Sequence, residues 1–348
     1  MDIPQTMLVS KAYDYDKFVL EEMETPIPGP REALVKVHTL GVCTGDVTPW
    51  YVHKKCPTVL GHEPAGEIAA LGSEVNHLKI GDRVYFHHHA PCGTCHYCRH
   101  GNYSMCSTWR QAKLVPGGAA QYCLVPENNL YKDTWVLPSN MSYDDGTLIE
   151  PVACVVRAFR RARMTPGDTV AVMGLGVMGQ MMVILAKYYG AKCVVASDKV
   201  PYRLEKAKSF GVDRAVDFTK ESFPEAVFAA TEGRGADIVM VCPTNAAAML
   251  EGIECAGRAS RVLMFMGPKP GTPMTVDMNK IYFDEIDLIS SYSSGPRESR
   301  EAMWLISEGY CTAKQLVTHR FPLSQMQEAV ELTRKAGESL KVLIDIPH

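Results

Sequence analysis

Over the first 40 residues apolar and polar positions alternate with period 2 in short runs, as in Ala33-Leu34-Val35-Lys36-Val37-His38-Thr39-Leu40. That period marks strands with one buried face, and the proline-rich stretch 26–30 supplies a break before the run. With Gly81-Asp82-Arg83-Val84-Tyr85-Phe86 and the stretch 118–125, the pattern predicts a β-rich N-terminal domain of many short strands. The middle of the chain reads differently. Thr169-Val170-Ala171-Val172-Met173 is a short apolar strand after a Pro166-Gly167 turn, followed by an apolar run over 180–189 long enough for three helical turns. A strand over 191–197, helices over 202–210 and 223–231, and strands over 237–242 and 261–266 continue the alternation. Such βα alternation predicts an α/β, doubly wound parallel sheet. From about residue 291 the pattern returns to the first domain, with helices over 298–308 and 323–335. The expected organisation is a discontinuous catalytic domain, 1–153 and 291–348, interrupted by a nucleotide-binding domain, 154–290.

Composition adds exclusions. The 348 residues carry a net charge of −3, so neither a nucleic-acid surface nor a polybasic membrane patch is expected. Met1-Asp2-Ile3-Pro4-Gln5 lacks a charged-then-apolar leader, and no apolar run reaches membrane-spanning length. Of the twelve cysteines four are clustered at metal-binding intervals and most others stand singly in apolar runs, which points to a reducing cytoplasm.

The first candidate chemistry is Gly174-Leu175-Gly176-Val177-Met178-Gly179, between the strand over 169–173 and the following helix. Asp198 comes nineteen residues after Gly179, at the end of the next strand. This is the order of the dinucleotide-binding fingerprint: Gly174 for the tight turn, Gly176 for close approach of the pyrophosphate, Gly179 for helix–strand packing. The helix N-terminus presents N–H groups to the phosphates. Asp198 can accept from the adenosine ribose hydroxyls and would repel a 2′-phosphate, favouring NAD, while Lys199 softens that preference. Arg203 can reach the adenine ribose or its phosphate, or simply face solvent.

The second is a set of metal-ligand types. Cys43 sits in Gly41-Val42-Cys43-Thr44-Gly45-Asp46, and Gly61-His62-Glu63 begins eighteen residues on. Thiolate, imidazole and carboxylate with an open fourth position make a catalytic zinc arrangement, although a lone cysteine and a lone histidine are each more often packing residues. Cys92, Cys95 and Cys98 at intervals of three, then Cys106, can close tetrahedrally on a structural zinc; a disulfide pair is the alternative. His87-His88-His89 reads as a strand end with one side chain turned inward.

Cys43, Gly61-His62-Glu63, the lobe Cys92/Cys95/Cys98/Cys106, Glu150-Pro151 and the glycine loop occur in one order, and that order resembles the zinc-dependent medium-chain dehydrogenase/reductase family. Within it the resemblance is to the polyol (sorbitol) and threonine dehydrogenase branch, and it extends over essentially the whole chain. It implies a GroES-like, partly open β-barrel catalytic domain interrupted by a Rossmann domain, with the active site between them. It also implies Cys43, His62, Glu63 and Glu150 as ligands of a catalytic zinc and Asp46 as the acid that orients His62. Dimers or tetramers are implied as well. The activity implied is reversible oxidation of an alcohol with hydride transfer to NAD, a polyol or sugar-derived secondary alcohol being favoured. A threonine-type amino-alcohol dehydrogenase, an NADPH-linked aldehyde reductase and a non-catalytic NAD- and zinc-binding protein are the alternatives. Two departures stand out. Gly45 occupies the place of a Ser or Thr that relays the substrate proton, leaving Thr44, Thr48 or water to do so. Arg157 stands where the branch carries a histidine, and a structural role is expected for it. The loops Trp50-Tyr51-Val52-His53-Lys54-Lys55 and Ser107-Thr108-Trp109-Arg110 are either a rim for a polar or anionic substrate or solvated packing.

Overall fold

The computed structural model describes residues 3–348. Met1 and Asp2, with which the expected catalytic domain begins, lie outside the described residues. By its internal contacts the chain falls into two compact units, Met1–Ala153 with Ser294–His348, and Cys154–Ser293.

In the first unit, β1 (Thr6–Asp14) and β2 (Lys17–Glu24) pair antiparallel. The next strand, β3 (Ala33–Val42), is buried along almost its whole length. The short β4 (Thr58–Val59) pairs with β1, and β5 (Glu63–Leu71), β6 (Arg83–Phe86), β7 (Tyr122–Val125) and β8 (Thr134–Val136) follow. β3 is the hub. β5 lies along one side of it, and its N-terminal half also pairs with β7. The core beneath is aliphatic, with Leu34, Val35, Val37, Leu40, Ile68, Val84 and Phe86 at its centre.

The second unit holds β9 (Thr169–Met173), β10 (Cys193–Asp198), β11 (Arg214–Asp217), β12 (Ala236–Val241), β13 (Ala256–Met264) and β14 (Asp287–Ser290). All neighbours are parallel, in the order β11-β10-β9-β12-β13-β14. Helices connect successive strands, and β9 is buried at every position, as a parallel strand covered on both faces must be. The sheet reverses direction of growth between β9 and β12. A loop at the C-terminal end of β9 therefore stands at the switch point, where open α/β sheets bind ligands. The chain then returns to the first unit, where β15 (Val317–Pro322) pairs parallel with β16 (Lys341–Asp345). β16 lies antiparallel to the C-terminal half of β3, completing the order β15-β16-β3-β5-β6-β8.

The expected fold class holds: an α/β chain with a β-rich GroES-like part and a doubly wound parallel sheet. The differences are local. Only 122–125 of the stretch 118–125 is ladder, because Gly118 N–H donates to Gly61 and Ala119 N–H to Leu60, outside a regular strand. The periodic pattern did not mark β5, in which Pro64 and Gly66 interrupt the run of strand-forming residues. Gly66 is needed there because a Cβ would collide with the Lys36 carbonyl oxygen. The helix expected over 323–335 begins as a 3-10 turn, Leu323–Gln325, and becomes α-helical at Met326–Lys335.

Among the glycines of the second unit the least room is at Gly179, where an added Cβ would overlap the Gly174 carbonyl oxygen. Gly→Ala inside a helix ordinarily stabilises by about 1 kcal/mol. Here Gly179→Ala is expected instead to cost roughly 1–3 kcal/mol through overpacking. A denaturant melt checks this, and a stability at or above wild type would refute the contact.

Candidate active site and cofactor loop

Cys43 closes β3 and caps the following 3-10 turn, Thr44–Val47, its sulfur accepting from the Gly45 N–H at 3.3 Å. Because β5 pairs with β3 so that Gly41 faces Glu63, the segment carrying His62 and Glu63 rises beside that cysteine. One ligand atom from each of Cys43, His62 and Glu63 lies within 4.8 Å of the others. Glu150 is not in this group. It is buried near the start of the helix Ile149–Arg161, with Oε1 4.0 Å from His87 Nε2, and its charge acts on Glu63. Asp46, also buried, places Oδ1 3.3 Å from His62 Nδ1, leaving the ring's Nε2 for another partner.

The electrostatics favour a cation. Burial pushes the Cys43 thiol up, against the pull of His62. Burial also pulls His62 down, yet Asp46 and Cys43 beside it prevail and hold the imidazole well above its usual value. Burial would raise Asp46, but His62 outweighs it and leaves that carboxyl below its usual range. Thiolate, imidazole and carboxylate are zinc's ligand types, and an imidazole fixed by a carboxylate on its far nitrogen is the usual support for a metal-binding histidine. The residues fit a zinc ion.

A feature that the sequence did not announce adjoins this group. Lys341, the first residue of β16 and only 1% exposed, forms an ion pair with Glu63 Oε2, and its Nζ lies 3.3 Å from the Val42 carbonyl oxygen. A Cβ at Gly41 would collide with Glu63 Oε2 and stand 2.8 Å from Lys341 Cε, so only glycine leaves room for the pair. Burial raises the Glu63 carboxyl, with Lys341 opposing. A lysine opening an apolar strand reads from sequence as a solvated strand end, which is why it passed unnoticed.

Neither candidate relay hydroxyl is drawn into the group. Thr44 is exposed, and Thr48 Oγ1 donates to the Thr44 carbonyl at 2.9 Å. The histidine run continues from β6. His87 is wholly buried, its Nδ1 2.8 Å from Asp133 Oδ2. His88 packs against His62 with ring centroids 4.8 Å apart, and His89 lies tilted against Trp109 at 3.9 Å. Burial pushes His88 well down and His89 to about 3.

Cys92, Cys95, Cys98 and Cys106 converge in one lobe. Their sulfurs stand 3.9 Å apart for Cys92–Cys98 and 3.5 Å for Cys95–Cys98. Four thiolates placed tetrahedrally at the Zn–S distance of about 2.3 Å would be separated by about 3.8 Å, so the lobe is dimensioned for zinc. No disulfide joins any of the twelve cysteines. Backbone N–H groups of Thr94 and Cys95 bring the Cys92 thiol down to about 6, which favours the thiolate that zinc needs. Arg110 braces this lobe, Nε donating to the Ser104 carbonyl at 3.1 Å, and Trp109 is buried against Cys98 and Cys106. In the other loop Lys54 and Lys55 lie over the rings of Trp50 and Tyr51. Arg157 donates to the Tyr292 carbonyl, a structural contact within the second unit.

The glycine loop leaves β9 through Gly174 at φ +85°, whose N–H donates to the Ser197 carbonyl. Gly176 precedes the helix Val177–Tyr188, whose start has no side-chain cap. A Cβ at Gly176 would meet only Arg203 Nη1, at 3.8 Å, so this flank is open to a ligand while the Gly179 flank is filled. Val177 and Met178 form the first turn of that helix. Asp198 Oδ2 accepts from the Leu175 N–H, and Oδ1 from the N–H groups of Lys199 and Val200, at 2.7, 2.7 and 2.9 Å. Arg203 Nη1 lies 3.8 Å from Asp198 Oδ2. An open, donor-rich helix start beside a strand-end carboxylate fits a dinucleotide.

Two family models match the chain: Alcohol dehydrogenase GroES-like domain over residues 29–138 and Zinc-binding dehydrogenase over 177–308. Sorbitol dehydrogenase of Bacillus subtilis is 30% identical, with 98% of each chain covered, and that of Ovis aries is 35% identical, covering 93% of this chain and 92% of the relative. The chain belongs to the zinc-dependent medium-chain dehydrogenase/reductase family. L-threonine 3-dehydrogenase of Symbiobacterium thermophilum, another relative, is 32% identical over 93% of each chain. Among solved structures of the family fold, a short chain alcohol dehydrogenase from E. coli CFT073 complexed with NADH has a TM-score of 0.88 at 27% identity. It covers 98% of this chain and 100% of its own. A structure from Sinorhizobium meliloti 1021 bound to NADP has the same TM-score at 25% identity and the same coverage. Zinc and a nicotinamide cofactor are thus the family's cofactors. No helix among the described residues is long and apolar enough to cross a membrane.

The Glu63–Lys341 pair gives a direct test. Lys341→Met leaves a buried carboxylate uncompensated and is expected to destabilise by about 3–5 kcal/mol, whereas Glu63→Gln/Lys341→Met recovers much of the loss. Chemical denaturation of the metal-free proteins reads both. Additive losses in the double variant would show that the two groups do not depend on each other.

Proposed function

We propose that this protein catalyses the reversible, NAD-dependent oxidation of a secondary alcohol, of polyol or sugar-derived type, to a ketone, with Cys43, His62 and a glutamate, Glu63 or Glu150, holding a catalytic zinc. The observation that carries the reading is the convergence of Cys43, His62 and Glu63 at the ends of β3 and β5, with Glu150 close enough to act on Glu63. Zinc held there supplies a Lewis acid that lowers the pKa of an alcohol hydroxyl. Asp46 keeps His62 in the orientation that offers Nε2 to the metal. In the unit Cys154–Ser293, Gly174–Gly179 and the start of the helix Val177–Tyr188 take the pyrophosphate, with Leu175, Val177 and Met178 lining the turn. Asp198, with Lys199 and Arg203 beside it, takes the adenosine ribose. That unit is the nucleotide-binding domain and the remainder the catalytic domain. Cys92, Cys95, Cys98 and Cys106 hold a second, structural zinc.

NAD is preferred to NADP because a 2′-phosphate at Asp198 would meet like charge; Arg203, partly committed to that carboxylate, offsets this only in part. The polyol reading is supported by the sorbitol dehydrogenase relatives and by Glu150 at the place of a ligand glutamate. The L-threonine 3-dehydrogenase relative keeps an amino-alcohol substrate as the second reading. Twelve cysteines, four of them gathered at metal-binding spacing and none in a disulfide, favour a reducing cytoplasm.

The expected outcome of a substrate panel is reduction of NAD by a polyol, followed by absorbance of the reduced nicotinamide, with weaker use of NADP. Cys43→Ser abolishes turnover and removes one of two zinc ions per chain by elemental analysis, leaving the four-cysteine zinc in place. Turnover with threonine alone would overturn the polyol reading, and full activity of Cys43→Ser would overturn the metal site.

A homo-oligomer is part of the same proposal. β14 is an edge strand that pairs only with β13 among the described residues. Beside it Met278, Tyr282 and Phe283 are 62, 74 and 72% exposed, and Leu288 on the strand itself 39%. An open edge flanked by large apolar side chains is a surface that proteins ordinarily cover. Light scattering is expected to give a dimer or tetramer that Leu288→Lys/Tyr282→Lys weakens; a monomer at micromolar concentration would refute it.

A further inference from the structure

Among the described residues of the helix Val177–Tyr188, Gln180 is the one buried polar side chain, set between Gly179 and a run of methionines and aliphatics and 0% exposed. Its amide nitrogen reaches two main-chain carbonyls in different segments. Nε2 donates to the Leu175 carbonyl, inside the glycine loop, at 3.0 Å. It also donates to the Arg203 carbonyl at 2.8 Å, in the helix Pro201–Ser209 that follows Asp198. Both partners are acceptors, so the amide has one orientation; turned over, its oxygen would face two carbonyl oxygens. Oε1 is left buried without a hydrogen-bond partner among the described residues. That costs stability which a leucine or methionine would not, so filling space does not account for the residue.

Two successive peptide groups of the loop are held from inside by different side chains. Asp198 takes the Leu175 N–H at 2.7 Å and so fixes the peptide between Gly174 and Leu175. Gln180 takes the Leu175 carbonyl and fixes the next one, between Leu175 and Gly176. In a trans peptide the carbonyl and the following N–H point in opposite directions. With the Leu175 carbonyl drawn in, the Gly176 N–H points out of the packed side of the loop. Gly176 has no Cβ to resist rotation of that plane, and a Cβ there would meet only Arg203 Nη1 at 3.8 Å. The glycine by itself does not select one orientation of the peptide. We propose that Gln180 is a positioning residue for the cofactor loop: it holds the Leu175–Gly176 peptide with its N–H, rather than its carbonyl oxygen, toward the dinucleotide pyrophosphate, and ties the loop to the helix beside Asp198. The inference rests on the reading of the glycine loop as the pyrophosphate site. A flipped peptide would set a carbonyl oxygen against an anion in place of a donor.

Gln180→Met keeps the length of the side chain and removes both donated hydrogen bonds. In the zinc-loaded full chain it is expected to weaken NADH and ADP-ribose by about 10–100-fold, the range of one hydrogen bond to a charged group. Adenosine, which has no phosphate, should compete as it does with wild type, and KM for NAD should rise with kcat little changed. Equal weakening of adenosine and ADP-ribose would mark a general loss of structure, and wild-type affinity for ADP-ribose would show that the amide does not act on the loop. Either result overturns the proposal. Gly176→Val separates this from a failure of the underlying reading, because its side chain enters the open flank. Unchanged NADH affinity there removes the loop as the pyrophosphate site, whereas affinity lost there and kept in Gln180→Met removes only the role of Gln180. Should Gln180→Met not fold, the side-chain amide resonances of Gln180 in 15N-labelled wild-type protein must move with ADP-ribose and not with adenosine. A phosphate on the Gly176 N–H polarises the peptide whose carbonyl Gln180 binds, so unmoved resonances overturn the proposal.

Discussion

A carboxylate and an ammonium meet out of water over Gly41, and the arrangement of the catalytic unit depends on that encounter. A buried ion pair adds little net stability, because desolvation offsets most of the attraction, but a mispaired partner is costly. Glu63 arrives on β5 and Lys341 on β16, the two neighbours of the C-terminal half of β3. A slip of either strand by one residue would turn its charged side chain to the other face and strand its partner. The pair thus fixes two registers at once. The same registers set His62 beside Cys43, so a requirement of charge compensation positions the groups that can take a metal. Glu63 stands between its ion-pair partner Lys341 and the place that the Cys43–His62 environment makes favourable for a cation.

The two candidate cofactor sites are built by opposite means. Around Cys43 and His62 the work is done by side chains that tune one another's charge. At the glycine loop it is done by backbone: Gly174 turns the chain, Gly179 admits the strand, and Gly176 leaves the loop open. Asp198 joins the two styles, its side chain accepting three backbone N–H groups that hold the loop in shape. A carboxylate so engaged is rigid, and its charge stays where a ribose or a phosphate would have to meet it.

These differences account for what was legible in the sequence. Spacing announces chemistry that depends on neighbours along the chain, so the four cysteines, the glycine loop with Asp198, and β9 with its following helix could all be read from local pattern. The pairs Glu63–Lys341 and His87–Asp133 are set by strand pairing across long separations, and no local pattern distinguishes Lys341 from an exposed strand end. β5 escaped notice because Pro64 and Gly66 resemble turn residues. The need for Gly66 comes from the close approach of β3, a property of the partner rather than of the segment. Arg110 looked equally apt for a substrate rim or for packing, and only its bonds to the four-cysteine lobe give it a place.

The placement of β16 also bears on how the chain comes to be folded during synthesis. The unit Cys154–Ser293 is continuous in sequence, and its six strands are complete before Ser294 is made. The hub strand β3 is among the first segments made, yet its C-terminal half waits for a partner nearly three hundred residues later in β16. Domains generally fold as units as they are synthesised. On a ribosome, then, the inserted unit can mature while the unit that surrounds it in sequence still exposes Glu63 and an unpaired sheet edge. The end of β3 that carries Cys43 would be the last part of the molecule to close.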